Sequence, residues 1–418
     1  MTYSQDLHLY KSVSIKQATT LPDSKILLPS SKSESNRALI INALGGNKGN
    51  LSNLSEARDT QTMMRLLQSN EEELDVLDAG TTMRFLTAYL SATNANKSIT
   101  GTERMQQRPI GILVDALRHI GAEITYKGKE GYPPLHIKGI EKQASRKVTV
   151  RGDVSSQYIS ALLMIAPTLP QGLEIELTGE IGSRPYIDMT RALMAKFGVK
   201  TEWDRNTVRI ENGTYGAEAY MIESDWSGAS YWLSIAALSP DTSIKLLGLR
   251  EDSLQGDKAI IDIMAHLGVS SQFDADGLII KGGGKMADFS WDFTHCPDLA
   301  QTVAVACAAT GITCTMTGLQ SLRIKETDRI AALQEQLAKI GAQLQEKDDT
   351  WTLIPPASAE WQKEIITIDT YDDHRMAMAF APLALKCALD ILDPVVVRKS
   401  YPRYWDNLEA AGFGISFR

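Results

Sequence analysis

The chain has few of the residues that form disulfide bonds or bind transition metals. It contains 4 cysteines among 418 residues, and none belongs to a C-x-x-C pair. Three of them lie in apolar segments, so we expect reduced thiols in the core of a cytoplasmic protein. The 6 histidines are scattered, and no two have the spacing of metal ligands beside a carboxylate. The sequence therefore predicts neither a disulfide framework nor a zinc site.

Long hydrophobic runs and an excess of positive charge are also missing. No apolar run reaches the ~20 residues that a membrane span needs, and we expect no secretion signal in the first residues. Lys and Arg number 43 against 51 Asp and Glu, which gives a formal net charge of -8. This balance disfavours nucleic acid or an anionic membrane as a partner, but it is compatible with a local cationic pocket for a small anion.

What the chain does contain is a glycine that recurs at a nearly constant interval. An amphipathic helical pattern ends at this glycine, and a strand, a turn and a second strand follow. Successive copies lie 70 to 77 residues apart, so about six supersecondary repeats fit the chain. The copies are centred on Gly121, Gly198, Gly268, Gly341 and Gly412.

A second element recurs in phase with the first, and it consists of a short polar loop before a helix that is apolar nearly all round. A helix such as Tyr231–Leu238 or Val303–Ala309, without a polar face, must be buried on all sides. Strands should therefore surround these helices, and their polar N-termini should attract anions. The six loops begin at Ser33, Ala79, Val154, Asp225, Pro297 and Asp372.

The repeats predict an α/β protein of two lobes with three repeats each. Residues 29–223 form the first predicted lobe, and residues 1–28 together with 224–418 form the second. One crossing between the lobes lies near Tyr220–Asp225, and the other lies near Lys25–Pro29, where the sequence signal is weaker.

The stretch Leu322–Arg329 is the one most typical of an active site, because it combines cations with carboxylates. It places Lys325 and Glu326 directly before a helical pattern that ends at Gly341. In a helical turn Lys325, Glu326 and Arg329 would share one face. Such a cluster can hold a phosphate or carboxylate while Glu326 moves a proton, but an ordinary solvated helix start with ion pairs explains it equally well.

Other polar loops offer hydroxyls, amides and cations at the starts of helices. Pro29–Arg37 combines a lysine, serines and an arginine, although a capped helix with a solvated face would look the same. The stretch 104–109 contains Arg104 and Arg108, and its pattern is typical of a cationic flap or of an exposed loop. Gly80 would let a ligand approach the backbone. Ser155, Ser156 and Gln157 offer three polar groups where a helix cap needs only one.

Taken together, these motifs closely resemble the 5-enolpyruvylshikimate-3-phosphate synthase (EPSP synthase) family over nearly the whole chain. The resemblance implies a two-lobed inside-out α/β barrel, with three βαβαββ units per lobe and the helices inside. The motifs are Pro29–Arg37, Asp78–Arg84, Arg108–Gly111, Val154–Gln157, Ser183–Asp188, Pro297-Asp298, Lys325–Arg329, Asp373–Met376 and Lys399.

The resemblance also implies a reaction. Phosphoenolpyruvate and shikimate 3-phosphate would bind between the lobes, and the 5-hydroxyl of the latter would attack C2 of the enolpyruvyl group while C3 is protonated. The tetrahedral intermediate would then lose inorganic phosphate. Because a C–O bond is cleaved rather than a P–O bond, neither a metal nor another cofactor is implied.

Site residues follow from the motif matches. Asp298 would be the base for the 5-hydroxyl and Glu326 the proton donor, with Lys32 assisting the transfer. The residues implied for shikimate 3-phosphate are Ser33, Arg37, Ser155, Ser156, Gln157, Ser183, Tyr186, Asp298 and Lys325. Those implied for phosphoenolpyruvate are Lys32, Gly80, Thr81, Arg108, Gln157, Arg329, His374, Arg375 and Lys399.

The chain departs from the common family pattern at three positions. Asp78 stands where many members have Asn, Phe85 where Pro is frequent, and Ser321 where Asn often contributes a substrate contact. Gly80, which leaves room in the phosphoenolpyruvate pocket, is retained.

Three alternatives stay open at this point. UDP-N-acetylglucosamine enolpyruvyl transferases share the fold and reaction, but they typically carry a reactive cysteine on a flap matching Gly101–Arg108, which has none here. An RNA 3′-phosphate cyclase-like protein would predict a basic surface and a nucleotidyl-accepting histidine. A non-catalytic anion-binding protein would explain the cations but not Asp298 and Glu326 together. We expect a cytoplasmic monomer that acts on small molecules, without nucleic acid or membrane partners.

Overall fold

The computed structural model describes residues 6–153 and 155–418. Residues 1–5 of the predicted second lobe and Val154 of the predicted polar loop lie outside the described residues. The chain divides into two compact lobes. The first lobe is Ser30–Ile222, and the second combines Met1–Pro29 with Glu223–Arg418. Within the described residues, none of the helices has both the length and the hydropathy that a bilayer crossing requires.

The α-helices of the described residues are mostly short, with the longest at 13 residues. They are α1 Lys32–Leu44, α2 Arg58–Leu67, α3 Gly80–Ala92, α4 Glu103–Gln106, α5 Gly111–His119, α6 Ser156–Ile165, α7 Arg184–Lys196, α8 Trp226–Leu238, α9 Ile260–Ala265, α10 Ala300–Thr310, α11 Arg329–Ala338, α12 His374–Phe380 and α13 Tyr404–Ala410.

The strands have between three and six residues each. They are β1 Ser12–Ile15, β2 Ser24–Leu27, β3 Asn50–Ser52, β4 Glu73–Asp75, β5 Lys97–Thr100, β6 Glu123–Tyr126, β7 Leu135–Gly139, β8 Lys147–Arg151, β9 Leu173–Thr178, β10 Glu202–Asp204, β11 Thr207–Ile210, β12 Ala219–Met221, β13 Ser243–Leu247, β14 Ser270–Phe273, β15 Gly277–Lys281, β16 Phe289–Asp292, β17 Cys314–Thr317, β18 Gln343–Lys347, β19 Thr350–Ile354, β20 Ile365–Ile368, β21 Ala388–Leu392 and β22 Ile415–Phe417.

Among the described residues, each lobe contains three sheets, one for each predicted repeat. In the first lobe the strand orders are β4-β5-β7-β6, β10-β11-β9-β8 and β12-β3. In the second lobe they are β14-β15-β13-β2, β16-β17-β19-β18 and β20-β21-β1-β22. A typical repeat pairs two parallel strands, such as β4 and β5, through a helix, and then adds an antiparallel hairpin such as β6 and β7. The predicted α/β class and the βαβαββ unit are therefore confirmed.

One repeat of the first lobe is reduced. Its described sheet has only the two parallel strands β12 and β3, without the hairpin that completes the other sheets. These strands contain only three residues each.

The helices that open the repeats are buried all round, as their apolar sequences predicted. In α8 every residue except Ser227 is buried, and in α10 every residue except Thr310 is buried. Strands show the complementary pattern, since in β8 and β9 buried and more exposed residues alternate along the chain. The hydrophobic core of each lobe therefore lies between its helices and the inner faces of its sheets.

The recurring glycines end the second helix of a repeat in a left-handed conformation. Their φ angles are 113° at Gly121, 88° at Gly198, 77° at Gly268, 79° at Gly341 and 104° at Gly412. A residue with a Cβ atom adopts such angles only at a cost, so glycine is favoured where the chain turns from the helix into the hairpin. This shared geometry accounts for the regular spacing that the sequence displays.

Replacing either of two of these glycines with alanine should lower stability by different amounts. A Cβ atom at Gly198 would meet nothing within 4 Å, so Gly198→Ala should lower the free energy of unfolding by only about 1–2 kcal/mol, the cost of the left-handed backbone. At Gly121 the Cβ atom would lie 2.5 Å from the Lys142 carbonyl oxygen, which adds a steric penalty of about 1–3 kcal/mol. Urea unfolding of both variants measures the difference, and equal losses would contradict this explanation.

Candidate active site

The polar side chains predicted to carry chemistry lie mainly at the first turns of the buried helices. In the first lobe these are the starts of α1, α3 and α6, and in the second lobe the starts of α8 and α12 and the turn before α10. A helix that is apolar on all faces can place polar groups only at its ends without burying them unpaired. The N-terminal ends also present backbone N–H groups that favour anions.

Lys32 is the first residue of α1, after the N-cap Ser31. Its Nζ atom lies 3.2 Å from a carboxylate oxygen of Asp59, a buried residue in α2. This ion pair holds the lysine side chain against the lobe while leaving it 18% exposed. Asp59 was not among the predicted residues, because a single carboxylate inside a helical pattern gives no recognisable signal.

Arg37, one turn further along α1, is buried. Its guanidinium donates to the Ser33 carbonyl at 2.9 Å, to Thr190 Oγ1 at 2.7 Å and to Ser160 Oγ at 3.2 Å. Burial lowers the pKa of Arg37 to about 10, against smaller opposing effects of Tyr186 and Glu34, so the group stays charged at neutral pH.

Gly80 begins α3 and lies directly against two arginines. A Cβ atom built on it would be 2.6 and 2.9 Å from the terminal nitrogens of Arg108, and 2.9 Å from Nη1 of Arg84. Arg84 also donates to the carbonyl oxygens of Gly80 and Pro109. The absence of a side chain therefore lets both guanidinium groups approach the start of α3. The predicted flap before Pro109 contains the short helix α4.

Gln157 joins the starts of two helices. Its side-chain amide donates to Thr81 Oγ1 at 3.0 Å, which links α6 to α3. Ser155 is the N-cap of α6, where its hydroxyl accepts from the Gln157 backbone N–H at 3.4 Å, and Ser156 is the first helical residue. Gln157 thus joins the polar start of α6 to the residue that follows Gly80.

Ser183 precedes α7 in a left-handed conformation, with φ of 52°. Its hydroxyl makes no capping hydrogen bond to a backbone N–H group of α7. Tyr186, in the first turn of α7, places its ring centroid 5.7 Å from the guanidinium carbon of Arg37. Arg37 therefore brings α1, α7 and α6, through Ser160, into one polar cluster of the first lobe.

In the second lobe, Arg329 binds three carboxylates at once. It donates to Asp373 at 2.6 Å, to Glu326 at 2.8 Å and to Asp298 at 2.9 Å. Burial alone would lower its pKa, but Asp373, Glu326 and Asp298 together hold the pKa above its usual value. Arg329 is therefore a permanent charge that fixes the positions of all three acids.

Asp298 lies in the 3-10 turn before α10 and is surrounded by cations. Arg375 donates to it at 2.8 Å, and Lys325 lies 4.0 Å away. Burial opposes its ionisation, yet Arg375, Lys325 and Arg329 outweigh that effect and hold the pKa of Asp298 well below its usual range. The pKa of Lys325 is itself lowered, mainly by burial.

Glu326 lies between two cations. Besides Arg329, it pairs with Lys399 at 3.3 Å, and both cationic side chains are almost completely buried. His374 is buried beside Asp373, with its Nδ1 atom 3.5 Å from a carboxylate oxygen. Every predicted residue of the second lobe therefore belongs to one cluster of charged groups around Asp298, Glu326 and Asp373.

The backbone around Lys325 differs from the prediction of a shared helical face. A 3-10 helix ends at Ile324, and α11 begins only at Arg329. Asp328 caps α11 by accepting from two backbone N–H groups at 3.1 Å. Lys325 and Glu326 therefore lie in a connecting loop. Their side chains still meet Asp298 and Arg329 because the loop folds back on the helix start, rather than because of helical spacing.

Asp257 is a further buried carboxylate that the sequence did not reveal. It hydrogen bonds to the Ser227 hydroxyl, which lies 3.4 Å from Arg375. Burial and then the neighbouring charge of Asp298 raise the pKa of Asp257 to about 7, against the opposing effect of Arg375. In the described part of the chain, no cluster of three or more His, Cys, Asp or Glu is arranged to hold a metal ion.

The raised pKa of Asp257 predicts a pH-dependent loss of stability. With a pKa near 7 in the folded protein and about 4 when unfolded, the native state binds more protons between these values, so the free energy of unfolding falls as pH rises. Asp257→Asn should flatten this slope by up to about 1.4 kcal/mol per pH unit, the limit for one proton.

Chemical denaturation from pH 4 to 7 measures this slope. Asp274→Asn is the matched control, because the lowered pKa of Asp274 beside Lys245 gives stability that is lost only as pH falls below about 5, so it cannot cause a loss as pH rises. An unchanged slope in Asp257→Asn would show that this carboxylate ionises normally.

Comparison with known proteins identifies the family. The sequence model of EPSP synthase (3-phosphoshikimate 1-carboxyvinyltransferase) matches residues 66–408. A 3-phosphoshikimate 1-carboxyvinyltransferase of Bacteroides fragilis is 51% identical over 394 residues, which cover 93% of this chain and 95% of that protein. The enzyme of the same name from a Sulfurovum species is 37% identical over 418 residues, covering 93% and 96%.

A solved structure shows the same fold. EPSP synthase from Acinetobacter baumannii superposes with a TM-score of 0.80 at 20% sequence identity, covering 97% of this chain and all of that one. The family predicted from the motifs is thus confirmed: the chain belongs to the EPSP synthase (3-phosphoshikimate 1-carboxyvinyltransferase) family.

Proposed function

We propose that the chain transfers the enolpyruvyl group of phosphoenolpyruvate to the 5-hydroxyl of shikimate 3-phosphate and releases inorganic phosphate. The cluster around Arg329 carries this proposal, because it combines cations for anionic substrates with carboxylates for proton transfer. The chain is also 51% identical to a relative named 3-phosphoshikimate 1-carboxyvinyltransferase.

The reaction forms one C–O bond and breaks another. The oxygen of the 5-hydroxyl adds to C2 of phosphoenolpyruvate, a base takes the hydroxyl proton, and an acid protonates C3. The tetrahedral intermediate then expels phosphate from C2 and returns a proton from C3, which restores the enol ether double bond. General acid–base catalysis supplies roughly 10²–10⁴-fold of such a rate. Positioning and charge stabilisation must supply the rest.

In the first lobe, the proposed ligands of shikimate 3-phosphate offer hydroxyls, an amide and a guanidinium. Ser155, Ser156 and Gln157 lie together at the start of α6, where N–H groups and hydroxyls suit a phosphate. Arg37 and Tyr186 lie next to each other and suit the hydroxyls and carboxylate of the ring. Ser33 and Ser183 complete this set.

The proposed ligands of phosphoenolpyruvate are mostly cations. In the first lobe, Lys32, Thr81 and Arg108 lie at the starts of α1 and α3 or against Gly80. Cationic groups of this kind neutralise a phosphate and a carboxylate, and guanidinium groups bind them in pairs of hydrogen bonds. In the second lobe, this role falls to Arg329, His374, Arg375 and Lys399, while Lys325 binds shikimate 3-phosphate.

Asp298 can act as the base only if its environment changes when substrates bind. Its cationic neighbours hold its pKa well below the usual range, which makes it a weak proton acceptor in the unliganded protein. Substrate phosphate and carboxylate groups that bind Arg329, Arg375 and Lys325 would offset these positive charges. We propose that the pKa of Asp298 rises on substrate binding, so that it accepts the 5-hydroxyl proton when the reactants are present.

The proposed reaction is tested by phosphate release from the purified protein. We expect release only when phosphoenolpyruvate and shikimate 3-phosphate are both present, because neither can lose phosphate by this route alone. UDP-N-acetylglucosamine replaces shikimate 3-phosphate in a parallel assay. Equal release with the nucleotide sugar would favour the other enolpyruvyl transferase, and no release with either acceptor would contradict the proposal.

Glu326→Gln tests the proposed proton donor. The amide keeps the shape of the side chain but cannot donate a carboxyl proton, so kcat should fall by roughly 10²–10⁴-fold. Glu346→Gln is the control, because Glu346 also pairs with an arginine, Arg323, but lies outside the Arg329 cluster. A kcat within twofold of the native value in Glu326→Gln would assign proton transfer to another group.

The remaining expectations stay predictions. They are a cytoplasmic location, a monomeric state and the lack of a nucleic-acid partner. All four cysteines are free and buried, which supports a protein that works with reduced thiols.

A further inference from the structure

We propose that Phe85 is a positioning residue for shikimate 3-phosphate, because its ring holds the buried guanidinium of Arg37 in place of a carboxylate counter-ion. This inference rests on the proposed function, in which Arg37 binds that substrate.

Arg37 is an unusual buried charge. Arg329 in the second lobe has three carboxylates within 3 Å, whereas Arg37 forms no ion pair with a carboxylate in the described part of the chain. Only 2% of its surface is exposed, so bulk water screens little of its charge. The charge of Glu34 favours the ionised form of Arg37, but less strongly than burial opposes it. Because a buried charge is strongly unfavourable unless it is compensated, other groups must help to stabilise it.

Two aromatic rings take this role. The guanidinium carbon lies 5.3 Å from the centroid of the Phe85 ring and 5.7 Å from that of Tyr186. The face of an aromatic ring carries negative charge density, and it attracts a cation most strongly where water is excluded. Phe85 is completely buried in α3, so its ring has no other orientation available without disturbing the core.

The hydrogen bonds of Arg37 leave it able to bind a ligand. Of its five N–H groups, three donate to Ser33, Thr190 and Ser160. One N–H on each terminal nitrogen has no acceptor among the described residues. A carboxylate counter-ion would compete for these groups, whereas a ring face stabilises the charge and leaves the hydrogen-bonding edge available. Phe85 would thus keep Arg37 charged, oriented and ready for substrate oxygens.

The alternative is that Phe85 only fills the core. Replacement by leucine would then lower stability without a selective effect on either substrate. If Phe85 positions Arg37, the loss must appear in the binding of shikimate 3-phosphate, while phosphoenolpyruvate and kcat are little affected. The two explanations therefore differ in which kinetic constant changes.

The first test compares Phe85→Leu with Phe197→Leu. Phe197 is an equally buried phenylalanine of the first lobe, and its ring packs against Tyr220 instead of an arginine among the described residues. We expect Phe85→Leu to raise the KM and the calorimetric Kd for shikimate 3-phosphate roughly 3- to 30-fold, in keeping with a desolvated cation–π contact. The KM for phosphoenolpyruvate and kcat should stay within about twofold, and Phe197→Leu should leave all of these constants near the native values.

A second test keeps the shape of the ring and changes only its charge distribution. Phenylalanine with one, two or three fluorine atoms is incorporated at position 85, which weakens the negative face stepwise. The Kd for shikimate 3-phosphate should rise with each added fluorine, and the same series at position 197 should give a flat response.

The outcomes separate the two proposals. A flat fluorine series at position 85, or a Phe85→Leu variant with unchanged affinity for shikimate 3-phosphate, would overturn the inference while the native protein still releases phosphate. Equal weakening of both substrates by Phe85→Leu would make Phe85 a general core residue and would also overturn it. If the native protein releases no phosphate from the two substrates, the proposed function itself fails.

Discussion

The structure depends on one constraint: the helices that open the repeats have no polar face, so they must be surrounded by other elements. Sheets supply that cover, which explains why strands with alternating burial enclose helices such as α8 and α10. Within these helices the buried polar side chains include small hydroxyls such as Ser160, Ser230 and Ser234, and most of the groups proposed for the site lie near the helix starts. The chemistry of the protein therefore collects at the starts of helices, where unpaired N–H groups already favour anions.

The two lobes stabilise buried charge in different ways. In the second lobe, carboxylates and cations compensate each other around Arg329, so the cluster is held together before any ligand binds. In the first lobe, Arg37 relies on hydroxyls, a carbonyl and ring faces, and among the described residues it forms no direct ion pair with a carboxylate. An anionic ligand would thus complete the charge balance of the first lobe, whereas in the second lobe it would compete with acids that are already bound.

Much of the fold and site could be predicted because both repeat. Gly121 and Gly198 share a left-handed turn, and the polar loops precede similar apolar helices, so periodicity alone indicates the unit. Asp257, Thr190 and Ser160 could not be found in this way, because each is a single residue whose role depends on distant partners. The loop at Lys325 shows the limit of spacing arguments, since its side chains meet Arg329 without sharing its helix.

The balance around Asp298 suggests how binding and proton transfer are linked. Its low pKa results from Arg375, Lys325 and Arg329, which outweigh the effect of burial. Substrate anions would bind to these same cations. The occupancy of the substrate site and the basicity of Asp298 would therefore be coupled. Each substrate anion that binds one of these cations weakens the attraction between that cation and the Asp298 carboxylate. If Asp298 is the base, as proposed, its carboxylate would accept a proton readily only when the anions are in place, and proton removal would be restricted to the protein with bound substrates.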